Sequence, residues 1–303
     1  MSGALALALT ALSTLVPAAQ AAAPAPAPAS CTTWDKQRVA SGLGVLENLS
    51  FDGQGGLLLS SSVGKGSILR LGADGTRTAL VSGVKAPGGH VVDGRTLYFT
   101  TGNGFDDGFL GLLGIATGGI SALDLDTGTV TRVADRLFMP NGMIRLPDGS
   151  FLVSRDIGAP GRTTRVFPDG SRAVFAPKVT STNGMAYDPG TGTVYIVSTF
   201  NPVSTISAVD LADPDAAPRV IRLRGLGPLN AADELTLGAD GYLYATLNLA
   251  GQVVRVDPVT GASCTIARGL PLASSLRFGS GPGWDPQSLY VVSFRGTVTR
   301  LTP

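Results

Sequence analysis

Short runs of alternating apolar and polar residues recur along the chain, broken by Gly and Asp-Gly turns. This period of two predicts β-strands joined by tight turns. The clearest unit runs from Asp233 to Leu270. It reads Asp233-Glu-Leu-Thr-Leu, a turn at Asp240-Gly241, Tyr242-Leu-Tyr-Ala-Thr, a loop at 248–251, Gln252-Val-Val-Arg-Val-Asp, a turn at Thr260-Gly261 and Ser263-Cys-Thr-Ile-Ala. Four strands in some forty residues make one blade of a β-propeller. The frame recurs at Glu47, with Gly55-Gly56 and Ser67-Ile-Leu-Arg-Leu, at Asn141, with Asp148-Gly149, and at Asn183, with Val194-Tyr-Ile-Val. Two looser copies, Gly88–Leu137 and Ser274 to the C-terminus, bring the total to six. The last copy has only three strands, and 35–43 supplies a fourth ahead of the first blade. The predicted fold is therefore an all-β, six-bladed propeller whose N-terminal strand closes the last blade and removes the exposed sheet edges.

Composition agrees with one large β domain. Gly (41) and Pro (20) fall at regular intervals between the apolar runs, leaving little room for helices. A formal charge of +1 with no basic stripe argues against a nucleic-acid partner. The stretch from Ser2 to Ala21 is uncharged, rich in Ala and Leu, and ends on Ala19-Gln20-Ala21. It reads as a signal peptide (1–21), although no Lys or Arg precedes its apolar run, and implies export to the extracellular or periplasmic space. Pro17 and the small residues leave too short an apolar core for a membrane anchor. Residues 22–30 alternate Ala and Pro as a stiff linker, which leaves 31–303 for the propeller. In an oxidising compartment the two cysteines, Cys31 and Cys264, near the outermost strands of neighbouring blades, are expected to form a disulfide.

A repeat converts sequence offset into geometry. Glu47, Asn141 and Asp233 each stand eight residues before a turn glycine, and Asn183 stands nine before Gly192. Each would begin the innermost strand of its blade and face the channel axis. Asn and Asp at strand starts commonly serve only as turn caps. Four in register, one of them a Glu that turns do not favour, form instead a hard all-oxygen donor set for one divalent metal ion. Calcium is favoured, because water can fill its remaining positions, with Mg2+, Mn2+ or Zn2+ as alternatives.

From Asp35 to Pro303 the chain resembles the family of senescence marker protein (regucalcin), gluconolactonase and related sugar-lactone hydrolases; the paraoxonase-type lactonases are more distant. The specific matches are Glu47 with Phe51-Asp52, Pro140-Asn141-Gly142, Asn183-Gly184-Met185 with Asp188-Pro189, and Asp233 followed by Gly241 and Gln252-Val-Val-Arg-Val-Asp-Pro. The resemblance implies that Glu47, Asn141, Asn183 and Asp233 bind the metal. It further implies that Asp233 is the general base in hydrolysis of a small-molecule lactone or related ester, with Glu234 in reserve. Loops after the second strands would build the entrance and supply Asn103, Asp106, Asp107, Asp156, Asn201 and Asn248. Asp156, matching a position where gluconolactonases often carry Asp, and Asn103 are taken as substrate-binding residues. Met139 is the third, replacing an Arg frequent in the family two residues before the blade-three asparagine. The swap favours a less polar substrate.

His90, the chain's one histidine, stands two residues beyond the place where a paraoxonase-type base would fall, and is expected to be structural. No Gly-x-Ser-x-Gly elbow is present, so a serine triad is not supported. An insertion, 105–118, carries Phe109, Leu110, Leu112, Leu113 and Ile115 and reads either as a loop folded on its own blade or as an apolar lid or lipid contact. Two rivals to the hydrolase remain. One is a binding propeller that the metal merely pins together, and the other is a strictosidine-synthase-like enzyme, which does not rely on the metal quartet.

Overall fold

The computed structural model describes residues 31–62, 65–155 and 161–303; the expected signal peptide and linker lie outside the described residues. Asp-Gly pairs make the turns. At Asp148-Gly149 and Asp240-Gly241 the glycine is left-handed, with φ of 82° and 79°. The aspartate carboxylate accepts the backbone N–H two residues on, as in Ser150 N to Asp148 Oδ1 at 3.0 Å. Turns of this kind fold the chain into six four-stranded antiparallel sheets. The blades span 46–82, 90–137, 140–175, 182–226, 232–268 and 273–302, the last completed by the strand Asp35–Ala40. That closing strand runs antiparallel to Val298–Thr302, with Asp35 opposite Thr302 and Lys36 opposite Leu301.

The core lies between blades. Each of six apolar clusters joins a pair of neighbouring blades, and the last links blade six to blade one. Leu46, Leu49, Leu57 and Leu59 of blade one, for example, pack on Trp284, Tyr290 and Val292 of blade six. Burying one such aliphatic side chain stabilises by roughly 1.5–3 kcal/mol, so the cluster between blades six and one, which forms only when the ring closes, favours closure.

Connectivity gives the ring two unlike ends. The innermost strands start at one end, the mouth, where the loops after the second strands and the links between blades also lie. The hairpin turns of every blade project from the other end, and each carries at least one aspartate, such as Asp74, Asp124, Asp169 or Asp257. These four carboxyls sit below the usual range because turn side-chain and backbone groups donate to them: Thr76 to Asp74, Thr127 to Asp124, Ser171 to Asp169 and Thr260 to Asp257.

One expectation is corrected. The insertion is not a loop, because Phe105–Leu112 forms an α-helix, α1. Gly108 and Gly111 are on its buried side, where the lack of side chains lets the helix sit close to the blade. A short second helix, α2 (Gly227–Asn230), links blades four and five.

Cys31 and Cys264 are joined, with Cα atoms 5.8 Å apart. The bond fastens the start of the closing strand to the outermost strand of blade five, beside the Trp34 N–H to Ile266 C=O hydrogen bond of 2.8 Å. A cavity of about 660 Å³ lies next to it, lined by Trp34, Tyr244, Arg255 and Phe278 at the end opposite the mouth. Replacing both cysteines with serine is expected to lower unfolding free energy by about 2–4 kcal/mol in denaturant titrations. Titration of the unreduced, denatured parent should find no reactive thiol.

Candidate metal and catalytic site

A repeated backbone device sets the site. In five blades a non-glycine residue with positive φ precedes the innermost strand: Ala86 (37°), Met139 (38°), Ser181 (55°), Ala231 (45°) and Leu272 (58°). Blade one uses Gly44 at 83°. Each non-glycine residue held there costs about 1–2 kcal/mol. The strand register then shifts between Leu46 and Leu49, Pro140 and Met143, Thr182 and Met185, and Ala232 and Leu235. Glu47, Asn141, Asn183 and Asp233 stand inside these four irregular steps, which is where a bulge re-aims a side chain. Strain repeated at equivalent positions points to a selected geometry.

Glycines after two of these residues bring the innermost strands together. A Cβ on Gly142 would lie 2.8 Å from Asn183 O, and one on Gly184 would lie 2.4 Å from Glu234 Cα. Only hydrogen fits at such spacings. Asn141-Gly142 and Asn183-Gly184 are thus close-approach pairs inside strands rather than hairpin turns.

All four expected ligands are buried. Asp233 is gripped from two sides. Asn183 Nδ2 donates to Oδ1 at 3.1 Å and Asn248 Nδ2 to Oδ2 at 2.9 Å. Asn183 also donates to Thr199 Oγ1 at 3.1 Å, and Thr199 passes its proton to Ala232 O at 2.8 Å. On blade one, Asn103 Nδ2 donates to Glu47 Oε1 at 3.0 Å. Asn141 is fixed through its carbonyl, which accepts from Gly89 N at 2.9 Å and Thr100 Oγ1 at 3.2 Å.

The donor chemistry fits a hard cation. Two carboxylates and two carboxamides supply oxygens only, and among the described residues no group of three or more His, Cys, Asp or Glu offers a rival centre. Asn103 adds a second observation, since its Oδ1 is buried and no hydrogen-bond donor reaches it. An orphaned carbonyl oxygen beside Glu47 is the kind of group a cation or its water would satisfy.

The remaining candidates divide. Asn103 joins the site, whereas Met139 is buried within the strained turn that carries Asn141. Asp156 lies outside the described residues. Asn201 is turned away, donating to Thr180 O at 3.3 Å. Glu234 is committed elsewhere. Its Oε2 accepts from Asn48 Nδ2 at 2.6 Å, its Oε1 from Leu235 N at 2.9 Å, and Arg277 stands 3.5 Å away. Sequence reasoning missed Asn48 and Thr199, which have no counterpart in the other blades and so give no repeat signal.

His90 is buried and its ring is spoken for. Nε2 lies 2.6 Å from Ser60 Oγ, and Nδ1 lies 3.4 Å from Ser50 Oγ. Ser60 spends its own proton on Gly88 O at 2.7 Å, so it accepts from an Nε2–H tautomer. Burial, with a lesser push from the Arg277 charge, lowers the imidazole from its usual 6.5 to about 3. It is therefore a neutral strut between blades one and two.

A six-bladed propeller with buried Glu47, Asn141, Asn183 and Asp233 at the mouth ends of four innermost strands defines the class. Within that class, residues 153–295 match the family model described as the SMP-30/Gluconolactonase/LRE-like region, in agreement with the resemblance read from the sequence. A search of curated proteins returned no match. Among solved structures, a calcium-binding protein, regucalcin from Agrobacterium tumefaciens, is similar with a TM-score of 0.69 at 15% identity, over 90% of this chain and 95% of that one. A gluconolactonase from Xanthomonas campestris gives 0.66 at 19%, over 89% and 90%. A chain of a nidogen/laminin complex gives 0.62 at 18%, over 77% and 84%. At such identities the likeness establishes the fold.

Because His90 is the chain's one histidine, its linkage can be read in isolation. Its folded value, about 3, lies below the unfolded 6.5, so the unfolded chain takes up a proton first and stability is lost as pH falls from 6.5 toward 3. The expected loss approaches about 1.4 kcal/mol per pH unit. Urea unfolding of the parent and of His90→Gln between pH 5 and 7 checks this. The slope should flatten in the variant, which lacks the proton-binding group.

Proposed function

We propose that the protein is an exported, metal-dependent hydrolase of lactones or related esters. The observation that carries this reading is that Glu47, Asn141, Asn183 and Asp233, all oxygen-bearing and buried, stand at equivalent steps of four innermost strands at the mouth, with Asn183 bonded to Asp233 and Asn103 Oδ1 unsatisfied beside Glu47. The matched SMP-30/Gluconolactonase/LRE-like region and the gluconolactonase neighbour support the reaction class. The neighbour described as calcium-binding supports calcium as the ion, and the disulfide accords with an oxidising compartment.

Glu47, Asn141, Asn183 and Asp233 would hold the ion, which when bound would polarise the substrate carbonyl and offset the negative charge that develops on its oxygen. The chain's own groups do the rest. Asn248 and Asn183 orient the Asp233 carboxylate from two sides, so that it can take a proton from the attacking water without first reorganising. Asn103 and Thr199 hold Glu47 and Asn183 in place. Asp233 is hydrogen-bonded to the candidate ligand Asn183, whereas Glu234 is tied to Asn48, Leu235 N and Arg277, which makes Asp233 the better-placed base. The propeller of the nidogen/laminin complex shows that the fold can also occur in a protein assembly, so a non-catalytic, metal-pinned binding propeller is the second reading.

Two experiments test the proposal. Asp233→Asn should lower turnover by about 10²- to 10⁴-fold, the range for a lost general base, and saturating calcium should not restore it. Asn183→Ala removes a ligand but no base, and high calcium should largely rescue it. Hydrolysis by the parent that survives chelation would sink the metal-hydrolase reading in favour of the binding propeller. The second experiment is a substrate panel. With no guanidinium at 139 to meet sugar hydroxyls, alkyl and aryl lactones should be turned over faster than gluconolactone. The reverse order would refute the less polar pocket.

A further inference from the structure

Helix α1 is inside out. It buries Asp107, Gly108 and Gly111, while Phe105 is 87% exposed, Phe109 64%, Leu112 58% and Leu113 62%. A soluble surface helix normally does the opposite. The orientation is enforced, not incidental. The buried Asp107 carboxylate pairs with Lys85 and accepts from Thr117 Oγ1 and from Gly104 N. Arg155 Nη2 holds the other end through Gly111 O at 3.1 Å and lies over the Phe138 ring at 5.0 Å. Turning the apolar face inward would bring Asp107 out of this network and leave Lys85 and Thr117 without it.

The helix is part of a wider distribution. Phe138, Phe200, Leu226, Leu229 and Leu249 are also exposed, and all lie on mouth-end loops or links. Among the described residues most exposed large apolar side chains sit at the mouth or along the sides; Val259 lies in a hairpin turn at the other end and Val130 beside one. Charge divides the same way. Lys85, Arg136, Lys178, Arg224 and Arg268 are exposed at the mouth, where the exposed acids among the described residues are Asp106 and Asp135. The opposite end carries an aspartate in every hairpin turn. An exposed apolar face ringed by cations, with the acids displaced to the far pole, has the chemistry of an interfacial surface.

We propose that the mouth end docks on an anionic lipid surface. The apolar face of α1, with Phe138, Phe200, Leu229 and Leu249, enters the headgroup–acyl boundary, and the surrounding Lys and Arg side chains meet lipid phosphates. The aspartate-rich turns then face water, which makes the docked orientation unique. The channel mouth opens onto the lipid, so an apolar ligand reaches it without crossing bulk water. The proposal concerns the surface alone and stands whether or not the cluster at the mouth is a hydrolase.

Co-sedimentation of the full chain with phosphatidylcholine vesicles, with and without phosphatidylglycerol, tests it. Binding should require the anionic lipid, weaken with salt, and drop by about tenfold or more in Phe105→Asp/Leu113→Asp, since each change removes an apolar group from the interface. Because both residues are more than half exposed, the variant should keep the parent's circular dichroism and melting point. Lys178→Glu/Arg224→Glu should weaken binding to anionic vesicles at low salt. The N-terminal segment is identical in all forms, so equal binding by parent and α1 variant would overturn the proposal. Failure of the parent to bind anionic vesicles would overturn it too. A parent dimer in sedimentation equilibrium that the α1 variant breaks, with no vesicle binding, would reassign the face to self-association.

Discussion

The candidate ligands at the mouth depend on how the chain enters the innermost strand. A left-handed residue, an irregular step in the register and, in blades three and four, a glycine in van der Waals contact with the next blade together place Asn141, Asn183 and Asp233 on neighbouring strands with their side chains inward. None of these parts is locally favourable. Met139, Ser181 and Ala231 occupy backbone conformations that L-residues avoid, and Gly142 and Gly184 forfeit side-chain burial. The interblade clusters supply the stabilisation that keeps them there, so the site is held by the whole ring rather than by its own contacts.

The fold was legible because a propeller repeats. The offset from Glu47, Asn141 and Asp233 to their turn glycines is a count along the chain, and the blades convert that count into position. The closing strand and the Cys31–Cys264 bond followed from the incomplete last blade and from an even number of cysteines. What singular residues do was not legible. Asn48 and Thr199 act across blades without a repeated signal, and nothing local says that Glu234 is tied to Asn48 and Leu235 N while Asp233 is gripped by Asn183 and Asn248. The helix was hidden for a different reason. Its apolar residues look outward, so they gave no stripe facing the blade that would mark a helix packed on it.

Two layers of polar groups share the channel with distinct duties. At the mouth, amide N–H groups from Asn183, Asn248 and Asn103 point at the Asp233 and Glu47 carboxylates. A separate set, Asn48 with Glu234 and Arg277 and His90 with Ser60, satisfies its members internally and leaves none for chemistry. Buried polar networks that close on themselves stiffen a structure, and those with an unmet oxygen, as at Asn103, are where a ligand can be accommodated.

The closing strand also dictates an order of events. Asp35–Ala40 is made long before its partner, Val298–Thr302. The closing strand must therefore wait, unpaired, until blade six has been made. Contacts of such long sequence separation make folding slow, because closure entropy is lost before the reward arrives. The cysteine pair cannot form before blade five exists, so oxidation records completion of nearly the entire ring. A truncated product would lack the strand that receives its own beginning and would present an open sheet edge to any quality-control machinery that recognises one.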